Sequence, residues 1–343
     1  MKILFQCDYN EGAHPRILER LAETNLEQTV GYGEDEYCCR AAELIRRKCG
    51  DDTLAVHFLV GGTQTNATVI DAALRSHQGV LCADTGHINV HETGAVEAMG
   101  HKVLALPNRD GKITARQVEE AVLAHGGDEH MVQPKMVYIS NPTELGTIYS
   151  RRELEEISSV CRKYDLYLFL DGARLGYGLA AADNDLDFST LAACCDVFYI
   201  GGTKVGALFG EAVVIRNEAL KKDFRYFIKQ KGGMLAKGRL LGIQFLTLFE
   251  DHLYEQASGH AVRLAEELRQ TFRECGYPFL VENTTNQIFP IMPDEDLKRL
   301  EEQFGFQYER KMDDSHHAVR FCTSWATREE NVGRLKEALR GLK

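Results

Sequence analysis

From about residue 15 to residue 217, short apolar runs alternate with segments of amphipathic, helical period. The runs are AVHFLV (55–60), VLCA (80–83), KVLALP (102–107), KMVYIS (135–140), LYLFL (166–170), VFYI (197–200) and AVVI (212–215). Strands that are apolar at nearly every position belong in a sheet covered on both faces. Several intervening helices announce their starts. Thr114 with Gln117 and Ser150 with Glu153 have the capping-box spacing, and Pro15 suits the first position of the opening helix. Strands alternating with helices predict βαβ units, hence an α/β fold with a mostly parallel, seven-stranded sheet.

After residue 217 the texture changes. GGMLAKGRLLGIQFLTLFEDHLYEQ reads as a glycine-punctuated start to long helices. Then follow expected strands at FLVE (279–282), QIFPIM (287–292), FQYERK (306–311) and AVRFCTSWA (318–326), with helices at 294–303 and 327–342. The pattern divides the chain into an N-terminal arm (1–14), a large domain (15–249) and a smaller α+β domain (250–343). The arm is expected to pack on the second domain or to reach a neighbouring subunit. His316-His317 reads as a solvated loop.

Composition adds exclusions. The 343 residues are 44% hydrophobic and 27% charged, as in ordinary globular proteins. A net charge of −11 without a basic block argues against nucleic acid or an anionic membrane as partner. No run approaches 18 apolar residues, and the opening MKILFQCDYNEG is too short for a signal segment, so no membrane association is expected. The ten cysteines are scattered and form no CxxC, which excludes a zinc knuckle and fits a reducing, cytoplasmic setting.

In a parallel sheet, ligands collect beyond the carboxyl ends of the strands. Three features fall there. Gly61-Gly62-Thr63 joins a strand to a helix, whose free N–H groups and dipole suit a phosphate; an ordinary turn is the alternative. Asp171 closes an apolar strand, either as a helix cap, as a partner of Arg174, or as a carboxylate that binds a protonated ring nitrogen. Lys204 follows the next strand among Gly201, Gly202 and Gly206, where a desolvated lysine can become a nucleophile. Together they make up a pyridoxal-phosphate site. His87 and His91 lie four apart, but the carboxylate and third ligand of a zinc motif are missing, so no metal is expected; one of them is expected to stack on a planar cofactor.

Through DYNEGAHPRIL, GYGEDEYC, GGTQTN, GHINVHETGAVE, FLDGAR, YIGGTK, IKQKGG and VRFCTSWAT, the chain resembles the pyridoxal-phosphate-dependent L-threonine aldolases nearly end to end. These belong to the β-eliminating lyase group of fold-type-I enzymes, and the resemblance is to the low-specificity L-threonine and L-allo-threonine branch. It implies the fold-type-I, transferase-like architecture, with Lys204 as the Schiff-base lysine and Asp171 as the pyridinium partner. Gly61, Gly62 and Thr63 would hold the phosphate. His87, five residues before Glu92, would stack on the ring and serve as the base at the substrate's β-hydroxyl, directly or through a water. Arg174 and Arg320 would meet the substrate carboxylate or the cofactor's ring oxygen, with Asp8 also at the substrate. Tyr32 and Lys229 would complete a neighbouring subunit's site, implying a homodimer paired into a homotetramer.

Two departures stand out. Gln6-Cys7-Asp8-Tyr9 replaces the family's frequent RSDT, removing a serine near the substrate, and GGTK replaces the commoner SK. The implied activity is cleavage of the Cα–Cβ bond of β-hydroxy-α-amino acids to glycine and an aldehyde. A β-eliminating lyase of aromatic or sulfur amino acids would use the same cofactor. An idle cofactor-binding protein is the third reading, and the joint presence of Asp171, Lys204 and Arg320 argues against it.

Overall fold

The computed structural model describes residues 2–342. Each apolar run forms a strand of one sheet: β1 (Ala55–Leu59), β2 (Gln78–Ala83), β3 (Lys102–Leu106), β4 (Gln133–Ser140), β5 (Tyr167–Asp171), β6 (Val197–Gly201) and β7 (Glu211–Ile215). Their spatial order is β1-β7-β6-β5-β4-β2-β3. Pairing is parallel from β6 to β3, while β7 runs antiparallel to both β6 and β1. This is the α/β, fold-type-I arrangement.

The unbroken apolar character of the strands follows from burial on both faces. Along β7, Ala212 and Val214 enter one core, and Val213 and Ile215 enter the other. Against the first face pack helices Glu36–Cys49, Arg151–Lys163 and Arg239–Glu250, through Ile45, Ile157 and Phe245. Against the second pack Gly62–Ala73, through Val69 and Ile70, and Phe224–Gln230, through Phe224 and Ile228. Both expected capping boxes are complete, and Pro15 stands at the start of helix Pro15–Glu23.

Helix Leu253–Glu274 carries the chain from one core to the next. Tyr254, Ala257 and Ala261 belong to the large core, whereas Leu264, Leu268 and Phe272 pack with Ile288, Val319 and Phe321. Strand His316–Cys322 is central to the C-terminal sheet, antiparallel to Gln287–Ile288, Ile291–Pro293 and Gln307–Lys311. Three expectations for this region are corrected. FLVE forms only a single bridge, Phe279 to Pro290, because Pro278 and Pro290 have no N–H to extend a ladder. Pro290 likewise splits QIFPIM into two short strands. His316 and His317 begin a strand rather than a loop, and His317 Nδ1 lies 2.6 Å from Asp294 Oδ1.

Residues 3–5 pack with this C-terminal unit. Ile3–Leu4 pairs in parallel with Phe304–Gly305, and the Cys322 N–H donates to the Phe5 carbonyl at 2.6 Å. Among the described residues no helix is long and apolar enough to cross a membrane.

Candidate active site

The carboxyl ends of β4, β5 and β6 lie side by side, with Ser140 in register with Asp171. Asp171 is 4% exposed, and each of its oxygens accepts two hydrogen bonds. Oδ1 takes the Tyr199 hydroxyl at 2.5 Å and the Ala173 N–H at 2.9 Å; Oδ2 takes the Tyr138 hydroxyl at 2.5 Å and Asn66 Nδ2 at 3.1 Å. All four donors are neutral, and no lysine or arginine among the described residues pairs with this carboxylate. Arg174, the partner that sequence offered, turns elsewhere.

Lys204 projects from the turn after β6. No acceptor among the described residues takes its ammonium, which lies 5.9 Å from the Tyr9 ring centre. Burial, then the neighbouring Arg174 charge, push its pKa below the ordinary lysine value. A Cβ on Gly201 would lie 2.3 Å from the Ala173 carbonyl oxygen, so this glycine lets the ends of β5 and β6 touch, and Gly206 turns the chain at φ +104°.

Helix Gly62–Ala73 begins beside the same edge with no side chain capping its N-terminus. A Cβ on Gly62 would meet the Tyr199 hydroxyl at 3.3 Å. Gly61 precedes the helix in an extended conformation, and Thr63 is exposed.

Arg174 is held by Asp8 through two bonds, Nε to Oδ2 at 2.7 Å and a terminal nitrogen to Oδ1 at 3.0 Å. Asn286 adds a third bond to Asp8 at 2.9 Å. Burial opposes ionisation of Asp8, but the Arg174 and Lys204 charges outweigh it and hold the carboxyl below its ordinary range. Asp8 is 0% exposed and lines neither the slot nor the cavity described below, while its carboxylate holds Arg174. Arg320 faces the cavity with its Nε 3.3 Å from Glu309 Oε1.

His87 Nδ1 lies 2.8 Å from Glu92 Oε1, which also accepts Asn66 Nδ2 at 2.8 Å. Asn66 thus joins the histidine's carboxylate to Asp171. Burial disfavours the imidazolium, yet the Glu92 bond and the Asp171 charge prevail and raise its pKa. Gly62, His87, Asp171, Tyr199 and Lys204 line a narrow slot. This slot adjoins a cavity of about 430 Å³ lined by Tyr9, His91, Glu144, Glu309 and Arg320, among others. Tyr32 and Lys229 are not brought to it. They stack on each other, with Lys229 Nζ 4.9 Å from the ring centre, and Tyr32 lines a separate surface hollow.

Sequence reading did not single out Asn66, Tyr138, Tyr199, Glu144 or Glu309. The tyrosines sit inside strand runs and look like core residues. Glu144 carried a usable signal, since it follows the end of β4 by four residues, at the same sheet edge as Asp171.

Comparison with known proteins agrees with this geometry. Residues 8–295 match the beta-eliminating lyase family. A low-specificity L-threonine aldolase of Pseudomonas sp. is 30% identical over 98% of this chain and 97% of its own length. The solved structure of Leishmania major threonine aldolase is 44% identical, covers 99% of both chains and superposes with a TM-score of 0.98. A Thermus thermophilus aspartate aminotransferase, 14% identical with a TM-score of 0.73 over 100% of this chain and 92% of its own, shares the fold alone. The chain belongs to the beta-eliminating lyase family and stands there with the low-specificity L-threonine aldolases.

Proposed function

We propose that the protein is a pyridoxal-phosphate-dependent aldolase that cleaves β-hydroxy-α-amino acids, L-threonine or L-allo-threonine, to glycine and an aldehyde. The observation that carries this reading is the pairing, across one slot, of a half-buried lysine that no acceptor among the described residues takes with a buried carboxylate that has only neutral donors. A buried charge without a countercharge is costly. A ligand that brings a cationic ring nitrogen to Asp171 and a carbonyl to Lys204 answers both groups at once. The uncapped helix start at Gly61-Gly62-Thr63 adds the anion-binding end that a phosphate needs.

When bound, the cofactor supplies an electron sink conjugated to the substrate's amino group. The chain's residues do the rest. Lys204, its pKa lowered, offers a neutral amine that can hold and release the cofactor. Asp171 keeps the ring nitrogen protonated. His87, locked by Glu92, covers the slot with a flat ring. Arg174 and Arg320 present planar guanidinium groups to the substrate carboxylate, and so orient the Cα–Cβ bond.

The Tyr32–Lys229 pair is exposed, and we infer that it completes the site of a homodimeric or homotetrameric partner. The scattered cysteines, none in a CxxC spacing, suit a cytoplasmic setting. The test is incubation of the holoprotein with L-threonine, L-allo-threonine, L-serine, L-tyrosine and L-cysteine. Glycine plus aldehyde is expected. Pyruvate plus ammonia would move the protein to the eliminating lyases, and no turnover would make it an idle binder.

A further inference from the structure

We propose that Glu144 is a further catalytic residue, whose free carboxylate oxygen takes the proton of the substrate's β-hydroxyl as the Cα–Cβ bond breaks. This rests on the aldolase reading above.

The chain leaves β4 at Ser140 and turns through Asn141-Pro142-Thr143 to Glu144. Oε1 of Glu144 is fixed twice, accepting the Ser140 hydroxyl at 2.7 Å and the His87 N–H at 2.9 Å. Among the described residues no donor from another residue takes Oε2. Glu144 lines both the slot and the larger cavity, as do Lys204, His87 and Arg174. One oxygen is therefore an anchor, and the carboxylate stands on the wall of the cavity that Lys204, Arg174 and Arg320 also line. A substrate held by its amine and its carboxylate must place its β-substituents in that space.

Three other titratable groups of the cavity are less suited. His87 has Nδ1 engaged by Glu92 and holds a proton more of the time than an ordinary histidine, which leaves less of it as the free base. Glu309 stands against Arg320, on the carboxylate side. His91 lies exposed at the cavity wall. Burial and the Asp171 charge raise the Glu144 carboxyl above its ordinary value, although the Ser140 and His87 bonds oppose this. A carboxyl nearer neutrality can both receive and release a proton.

The step balances without a co-reactant. The O–H bond breaks, its electron pair becomes the second bond of the aldehyde carbonyl, and the Cα–Cβ pair remains with Cα. Glu144 passes its proton to water, and glycine takes one proton at Cα.

The test compares wild type with Glu144→Gln, which keeps an acceptor for Ser140 and His87. Two reactions are read on holoprotein: L-threonine cleavage, and exchange of the glycine α-hydrogen in heavy water, which needs no β-hydroxyl base. The variant is expected to keep its bound cofactor and its KM, to exchange glycine within about twofold of wild type, and to lose about a hundredfold or more in kcat for cleavage. Cleavage retained within about threefold, or cleavage and exchange falling together, overturns the proposal. If the Gln variant misfolds, Glu144→Asp keeps the carboxyl and should lower cleavage while sparing exchange; equal loss of both again refutes it. Wild-type protein that exchanges glycine but cleaves no β-hydroxy amino acid refutes the aldolase reading itself, a distinguishable result.

Discussion

Replacing Asp171 by Asn removes a charge and turns one acceptor into a donor. An amide nitrogen at the Oδ2 position would face the N–H of Asn66, and at the Oδ1 position that of Ala173. In either orientation one N–H is stranded in a buried site, and one tyrosine hydroxyl, Tyr138 or Tyr199, must turn to accept. A stranded buried donor costs about 1–3 kcal/mol, and a hydrogen bond to a charged group contributes about 1.5–3 kcal/mol. The hydroxyl recovers part of this by turning, so the unfolding free energy should fall by about 2–4 kcal/mol. Loss of a simple helix cap would cost about 1 kcal/mol. The chemical effect is separate: a neutral amide cannot hold a proton on the ring nitrogen, and kcat should fall about tenfold to a hundredfold. Urea unfolding at matched cofactor content reads the first quantity, and single-substrate kinetics read the second. A stability change below about 0.5 kcal/mol would refute the four-bond network. A variant that retains cofactor and keeps kcat within about twofold would falsify the ring-nitrogen role.

Four further outcomes are expected. Glu211, pushed up to about 8 by burial, keeps a proton when folded that the unfolded chain has lost above its ordinary value of 4.5. Its contribution to stability therefore falls as pH rises between those values. Glu211→Gln should match wild type near pH about 4 and exceed it near pH about 9 by up to about 5 kcal/mol; a pH-independent gap in urea midpoints refutes this. Asp8→Asn should cost about 3–5 kcal/mol near neutral pH by leaving Arg174 buried without its partner. Because Asp8 is held below its ordinary value of 3.8, that gap should narrow as acid protonates the wild-type carboxylate, and a gap that persists at pH about 2 counts against the pair. Arg320→Lys should raise KM for L-threonine about tenfold with cofactor still bound, since a bidentate carboxylate contact is lost; an unchanged KM moves the role to Arg174. Mixing Lys204→Ala with a Tyr32 or Lys229 variant should restore part of the activity once subunits exchange, and no recovery after verified exchange favours a site within one chain.

The sheet was legible because burial on both faces leaves a plain mark, a run of apolar residues. The two capping boxes were legible because their chemistry is local. Lys204 and Asp171 could be read from their position at strand ends. What surrounds them could not. Arg174 was expected to find Asp171 or a substrate, yet its partner Asp8 is 166 residues away, and no periodicity encodes such a meeting. Tyr138 and Tyr199 satisfy the apolar pattern of β4 and β6 with their rings, which conceals that their hydroxyls serve Asp171. FLVE has strand composition, but the proline opposite it, eleven residues on from Phe279, decides its fate.

The pairing of residues 3–5 with residues 304–322 has a consequence for how the molecule is made. Synthesis delivers the segment that carries Asp8 first, while the strands that receive it, and Asn286, arrive near the end. Until then Asp8 is made but not anchored, and Arg174 lacks a fixed carboxylate to aim it. The large sheet can collapse on its own local βαβ contacts as it is translated, but the arginine that faces the cavity is set only when the two ends of the chain meet. A chain that still lacks its C-terminal unit can therefore have its large sheet formed and its reactive lysine in place while the arginine that must orient a substrate is not yet aimed.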